Sequence, residues 1–327
     1  MHANMFEHSR VHKQIVGNQI MTIAAVFPGQ GAQSVGMLGE LADHHPSILD
    51  TFAEASSVLG FDLWALVQNG RSEELAETEN TQPALLTSSV ALWRVWQSGS
   101  IERDPAFVAG HSLGEYSALV CADALKFDEG VALVRKRGEL MQEAVPSGQG
   151  TMAAILGLEN EQIDECCLAV DGVVGAANYN APGQVVIAGE TPAVEAAMQA
   201  CKDAGAKRAL RLNVSGPFHS ELMGRARDQF AAELAAVNVQ MPRIPIVQNV
   251  NASSPGNAEE LIQALIDQLS NPVLWTGCVE TMLANGVDQF VECGPGNVLA
   301  GLAKRISRDS STTALSTKAG MGAAIAS

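Results

Sequence analysis

Short apolar runs alternate with amphipathic stretches along most of this chain, and the two spacings predict two kinds of element. Ile23–Phe27 is an apolar run stopped by Pro28-Gly29, the pattern of a buried strand that ends in a turn. Residues 107–109, Gly150–Leu156, 184–188, 244–250 and 289–293 read the same way. Between them, residues 129–144, 221–237 and 258–269 repeat apolar side chains at helical spacing. Strands followed by helices predict an α/β fold with a largely parallel sheet in the main body. Residues 147–216 differ: strand, helix 159–170, strand near 173–178, strand 184–188, helix 191–204, strand 207–214. That β-α-β-β-α-β order predicts a ferredoxin-like small subdomain inserted between 21–146 and 217–309. Residues 1–20 carry no such pattern and are expected to form a loose arm. Residues 310–327, rich in Ser, Thr, Ala and Gly, are expected to form a frayed tail.

Composition narrows the class. The 327 residues carry 20 Lys+Arg against 36 Asp+Glu, a net charge of −16, which argues against nucleic acid as the main partner. Hydrophobic residues at 47% and charged residues at 17% exclude disorder and coiled coil as the dominant state. No stretch approaches the roughly 20 apolar residues of a membrane helix, so no membrane association is expected. The six cysteines include no C-x-x-C pair, which argues against a disulfide framework or zinc knuckle. The first twenty residues lack an apolar signal core. The expectation is a soluble, cytoplasmic, monomeric protein without a metal.

Gly110-His111-Ser112-Leu113-Gly114 follows an apolar run and precedes a helix-compatible stretch. This is the G-x-S-x-G pattern in a strand-turn-helix setting, where a serine is lifted clear of a sheet as a nucleophile. A plain Gly-rich loop with Ser112 as a helix cap has the same pattern. A serine needs a base, and seven histidines are available. His2, His8 and His12 lie in the arm, His44 and His45 in a polar stretch, and the His111 side chain should point away from its neighbour Ser112. His219 remains, ahead of a helix whose apolar stripe includes Leu222, Met223, Ala226 and Phe230. The positive end of that helix would keep it neutral. No Asp or Glu between 112 and 219 stands out as a triad acid. A free carbonyl near the end of helix 258–269, including that of Gln268, could orient His219 instead, although the sequence does not select this pairing. Arg137 falls at the centre of the apolar face of helix 129–144, among Leu133, Val134, Leu140 and Met141. A buried guanidinium needs an anion, either a structural carboxylate or a substrate carboxylate. Pro28-Gly29-Gln30-Gly31 forms a turn whose Gln30 N–H, with that of Leu113, could stabilise an oxyanion; a bland loop fits equally.

Taken in order, Pro28-Gly29-Gln30-Gly31, Gly110-His111-Ser112-Leu113-Gly114-Glu115-Tyr116, Arg137 within Arg135-Lys136-Arg137-Gly138, Asn178-Tyr179-Asn180-Ala181-Pro182-Gly183-Gln184, Gly216-Pro217-Phe218-His219-Ser220 and Gln268-Leu269-Ser270-Asn271-Pro272 resemble the discrete bacterial malonyl-CoA:acyl carrier protein transacylases over roughly residues 21–309. The resemblance implies an α/β-hydrolase-like large subdomain with the ferredoxin-like insertion. It implies Ser112 as nucleophile, His219 as base and acid, and Gln268 holding His219 by its main-chain carbonyl. It further implies Gln30 and Leu113 as oxyanion hole, Arg137 on the malonyl carboxylate, and Phe218 crowding the malonyl α-carbon. Asn178 and Asn180 match a cleft loop without an assigned role. The substrates implied are malonyl-CoA and phosphopantetheinylated acyl carrier protein, with no cofactor. Residues 1–20 are additional to the family pattern, which makes Met21 the candidate start. An acidic carrier would need a basic patch, with Lys207, Arg208, Arg211, Lys304, Arg305 and Arg308 as candidates or as ordinary solvated charges. Two other readings compete: a serine esterase or thioesterase, from which Arg137 distinguishes the transferase, and a catalytically dead carrier-docking module.

Overall fold

Five apolar runs join into one parallel sheet in the spatial order Ser311–Ala314, Gln289–Glu292, Ile23–Phe27, Phe107–Gly110, Ile246–Val247. The computed structural model describes residues 14–16, 19–99 and 104–326. Successive residues of a strand face opposite sides, so Ala25 and Phe27 pack with the helices Ser47–Leu59, Thr78–Gly99 and Phe127–Glu143. Ala24 and Val26 pack on the other face with Trp275–Ala284 and Val298–Ile306. Covering both faces is what a parallel sheet requires, and it explains why its strands read as unbroken apolar runs. Ile23–Phe27 is central: the chain moves from it to one side of the sheet and later returns to the other. Ligands in such sheets bind in the crevice beyond the carboxyl ends of the strands.

The segment from Gly150 to Arg211 forms a second, antiparallel sheet in the order Val174–Ala181, Gln184–Glu190, Gly150–Leu156, Arg208–Arg211. This is the ferredoxin-like arrangement. Asn160–Leu168 and Thr191–Asp203 cover one face, burying Ile155, Val185, Ile187 and Val194. The alternate residues Met152, Val186 and Ala188 pack into the large core instead. Main-chain bonds tie the small sheet to the segment just before the helix Trp275–Ala284 of the large body: Tyr179 N–H donates to the Val273 oxygen at 2.9 Å and Val273 N–H to the Ala177 oxygen at 2.8 Å.

Three expectations need correction. The tail is not frayed over 310–327. Ser311–Ala314 is an edge strand of the main sheet, and Lys318–Ala326 is a helix burying Met321 and Ala324, with Leu315 buried between them. Gly320 lies so close to the Ala314 carbonyl that a Cβ there would stand 1.9 Å from its oxygen. Small residues pack this segment flush against the body, so it needs no apolar stripe. The strand at 244–250 shrinks to Ile246–Val247, because Gln248 and Asn249 turn toward a buried carboxylate. Finally, within the expected loose arm, Gln14–Val16 and Gln19–Met21 pair as an antiparallel ribbon. The rest of that expectation, residues 1–13 and 17–18, lies outside the described residues.

Candidate active site

Ser112 stands at the carboxyl end of Phe107–Gly110, where the chain turns sharply into the helix Gly114–Cys121. Its φ of 52° is a left-handed conformation rare for a residue with a side chain. The flanking glycines make this turn possible. A Cβ on Gly110 would lie 1.8 Å from the Gly114 carbonyl carbon, and one on Gly114 would lie 2.0 Å from the Phe27 oxygen. Asn249 holds the turn from the side: its Oδ1 accepts the Ser112 N–H at 2.7 Å and its Nδ2 donates to the Gly110 oxygen at 2.7 Å.

The Ser112 hydroxyl lies 2.7 Å from His219 Nε2, and His219 Nδ1 lies 2.7 Å from the main-chain oxygen of Gln268. A carbonyl can only accept, so the ring proton belongs on Nδ1 and the Nε2 lone pair is free to take the serine proton. His219 is 4% exposed, and burial followed by the positive charge of Arg137 pushes it down to about 3. Burial and Arg137 are therefore the leading causes of its neutrality. The helix expected from 221 begins instead with a 3-10 turn, Glu221–Met223, before Gly224–Ala235.

This shift has a consequence for stability. Below its ordinary value of 6.5, His219 takes up a proton in the unfolded chain but not in the folded one until the pH nears 3. The contribution of His219 to stability is thus full above pH 6.5 and falls as the pH drops, by about 1.4 kcal/mol per unit for one proton, while the raised Glu115 carboxyl acts in the opposite sense between about 7 and 4.5. His111, which burial also holds below its ordinary value, adds to the slope. His219→Gln is expected to remove one proton's share of this slope between pH 6 and 4 in urea unfolding; an unchanged slope would contradict the assignment.

Arg137 lies on the helix Phe127–Glu143 and is 1% exposed. Its guanidinium donates to Gln82 Oε1 at 2.9 Å, Gln268 Oε1 at 2.8 Å and Ser112 Oγ at 3.2 Å, and it sits 5.2 Å from the centre of the Tyr116 ring. Among the described residues no carboxylate lies within 4 Å of it, and its Nε has no partner. By contrast, Arg135, on the other side of the helix, pairs with Glu79 and Glu139. A buried cation bonded only to neutral acceptors beside a serine has the chemistry to hold an anionic group.

These side chains line a cavity of about 210 Å³ between the two sheets. Gln30 and Leu113 line it too, and among the described residues neither backbone N–H has a hydrogen-bond acceptor. Met141, Met152, Val186, Leu212, Val214 and the buried Phe218 give it apolar walls. Asn178 and Asn180 face it from the small sheet. The His111 side chain does not point away as expected. It lines the same cavity, with Nε2 2.8 Å from Asn180 Oδ1, and so joins the serine turn to the small sheet.

Four residues at this site, Gln82, His111, Glu115 and Asn249, were not singled out by the sequence reading. Gln82 and Asn249 hold Arg137 and the serine turn. Glu115, 0% exposed, accepts hydrogen bonds from Gln248 Nε2 at 3.0 Å, Asn249 N–H at 3.1 Å and Gln268 Nε2 at 2.8 Å. Burial pushes the Glu115 carboxyl up to about 7 against the pull of these donors and Arg137. The available clue was a charged residue inside an otherwise apolar helix following the serine. Among the described residues no group of three or more metal-ligating side chains occurs, and no helix is long and apolar enough to cross a membrane.

A serine turn, a carbonyl-held histidine and a pair of amides without acceptors form a constellation suited to acyl transfer, and comparison with known proteins places the chain in an acyl-transferring family. The chain belongs to the acyl transferase family, whose domain model matches residues 25–321. Within that family its relatives include malonyl CoA-acyl carrier protein transacylases. It is 54% identical over 304 residues to the one from Salmonella typhimurium, covering 92% of this chain and 98% of the relative. It is 45% identical over 297 residues to the one from Bacillus subtilis, covering 90% and 93%. Among solved structures, an acyl carrier protein S-malonyltransferase from Vibrio cholerae superposes with a TM-score of 0.90 at 53% identity, covering 92% of this chain and 99% of that one. A malonyl-transacylase solved in complex with its type II PKS acyl-carrier protein superposes with a TM-score of 0.91 at 52% identity, covering 93% and 99%.

Proposed function

We propose that this chain moves a malonyl group from malonyl-CoA to the phosphopantetheine thiol of an acyl carrier protein, in the cytoplasm, for fatty acid synthesis. The observation that carries the reading is the buried Arg137 guanidinium, without an acid partner, 3.2 Å from the Ser112 hydroxyl. A carboxylate one carbon removed from a thioester carbonyl would rest on Arg137 while that carbonyl meets Ser112. His219 Nε2 takes the hydroxyl proton as Oγ bonds to the carbonyl carbon, and the Gln30 and Leu113 N–H groups stabilise the oxyanion. The intermediate collapses with loss of the CoA sulfur, which leaves with the proton from His219. The carrier thiol then attacks malonyl-Ser112, giving its proton to His219, and the serine recovers that proton on release. No step calls on a metal or redox cofactor. Apolar walls around the ester disfavour water as the second acceptor.

The carrier would approach the cavity mouth. Arg305 is exposed and bonded to Gln184, a cavity-lining residue, so it stands at the rim. Lys304 and Arg308 are exposed close to it in sequence, and Lys207 and Arg208 are exposed at the start of the last strand of the small sheet, whereas Arg211 is paired with Glu195. Such charges would steer an acidic partner despite the net charge of −16.

Phe218, beside the base, is read as the residue that crowds the malonyl α-carbon. Phe218→Ala is expected to raise the methylmalonyl-to-malonyl ratio of kcat/KM about tenfold, a methyl group's worth of space, and to lower stability by about 3 kcal/mol. Competition between the two thioesters reads the first and urea unfolding the second; an unchanged ratio would contradict the role. The function itself is tested by initial rates with both substrates varied. Parallel double-reciprocal lines with malonyl-carrier as product are expected. Intersecting lines would contradict the serine-bound intermediate, and free malonate as the main product would point to a thioesterase.

A further inference from the structure

The buried acid nearest the anion-binding guanidinium is held off it by one side-chain amide. Gln268 Oε1 accepts from Arg137 at 2.8 Å while its Nε2 donates to Glu115 Oε2 at 2.8 Å. All three of Glu115's hydrogen-bond partners are N–H donors, so the network satisfies a carboxylate. We propose that Glu115 is a positioning residue that acts through Gln268 to moderate the grip of Arg137 on the acyl group's carboxylate, preventing over-tight capture of small anions. This rests on the reading of Arg137 as the malonyl receptor.

Two physical points support it. Had the acid bonded directly to Arg137, it would occupy the donors that a substrate carboxylate needs. Had there been no acid, a desolvated cation beside the serine would bind any small anion strongly, and it would also oppose a positive charge on His219. An acid at one amide's distance supplies opposing charge and leaves the guanidinium accessible. The sign is the useful part: removing the Glu115 charge should strengthen anion binding, whereas a purely structural role would weaken it.

Glu115→Gln isolates the charge. Gln248 Oε1 is buried without a partner, so a turn of the Gln248 amide can accept the N–H that this substitution introduces. In the full-length protein at pH 8, above the value of about 7 to which burial raises Glu115, the inhibition constant for free malonate and the KM for malonyl-CoA are expected to fall at least tenfold, the effect of a unit charge within about 12 Å at an effective dielectric near 20. The KM for acetyl-CoA, which has no carboxylate to grip, should stay within twofold. A rise in the malonate constant, or no change, would overturn the proposal. If wild-type protein shows no preference for malonyl-CoA over acetyl-CoA, it is the reading of Arg137 that fails. Should Glu115→Gln alone not fold, the pair Glu115→Gln with Gln82→Glu moves the charge onto the other side of Arg137. Its malonate constant is expected at or above that of wild type, and one below it would overturn the proposal.

Discussion

Replacing His219 with alanine is expected to slow acylation of the enzyme by malonyl-CoA by on the order of 10⁴-fold, with little change in substrate binding. Among the described residues the imidazole is the base placed to take the Ser112 proton, at 2.7 Å, and its tautomer is set by the Gln268 main-chain oxygen on the far side. Without it the hydroxyl must lose its proton to water in a cavity with largely apolar walls. Arg137, 3.2 Å from Oγ, can stabilise an alkoxide but carries no vacant lone pair to accept a proton. The paired variant Ser112→Ala/His219→Ala is expected to be no slower than either single change, because the two groups act as one unit. Stopped-flow release of CoA measures all three. A His219→Ala enzyme within tenfold of wild type would mean that another base serves Ser112.

Arg137→Ala is expected to lower kcat/KM for malonyl-CoA by roughly 10² to 10³-fold, the range for truncating one partner of a buried charge-assisted contact. Acetyl-CoA should behave in the opposite sense. It has no carboxylate to lose, and removal of the cation relieves His219 of the charge that opposes its protonation. Acetyl transfer is therefore expected to hold or rise, reversing the donor preference. The variant also leaves Gln82 Oε1 and Gln268 Oε1 without their donor, so a loss of about 3 kcal/mol in stability should accompany it. Equal losses for both donors would show that Arg137 shapes the fold and not the choice of acyl group.

Much of this architecture was legible because its parts obey strong local rules. Ile23–Phe27 and Gly150–Leu156 were bounded correctly because an apolar run ending at a proline, a glycine or a polar residue has few other solutions. Gly110 and Gly114 marked the serine turn because no larger residue fits there. Arg137 was conspicuous as a cation on an apolar stripe, although the sequence did not decide between an acid neighbour and a substrate.

What the sequence concealed depends on contacts between distant segments. Glu115 has no partner legible in the sequence; only the arrival of Gln248, Asn249 and Gln268 makes it a buried, fully bonded acid. Gln82 lies in the helix Thr78–Gly99, where polar and apolar residues alike are buried, so periodicity could not single it out. His111 was set aside on the argument that neighbours on a turn diverge, but the small sheet brings Asn180 to meet it. The last helix packs through alanine and glycine, which leave little trace in a hydrophobic pattern.

The most direct test is intact-protein and peptide mass spectrometry after brief exposure to malonyl-CoA. One malonyl adduct on the peptide containing Ser112 is expected, absent from Ser112→Ala and lost when holo acyl carrier protein is added, with malonyl recovered on the carrier thiol. An unmodified protein, or an adduct on another residue, would contradict the account at its centre.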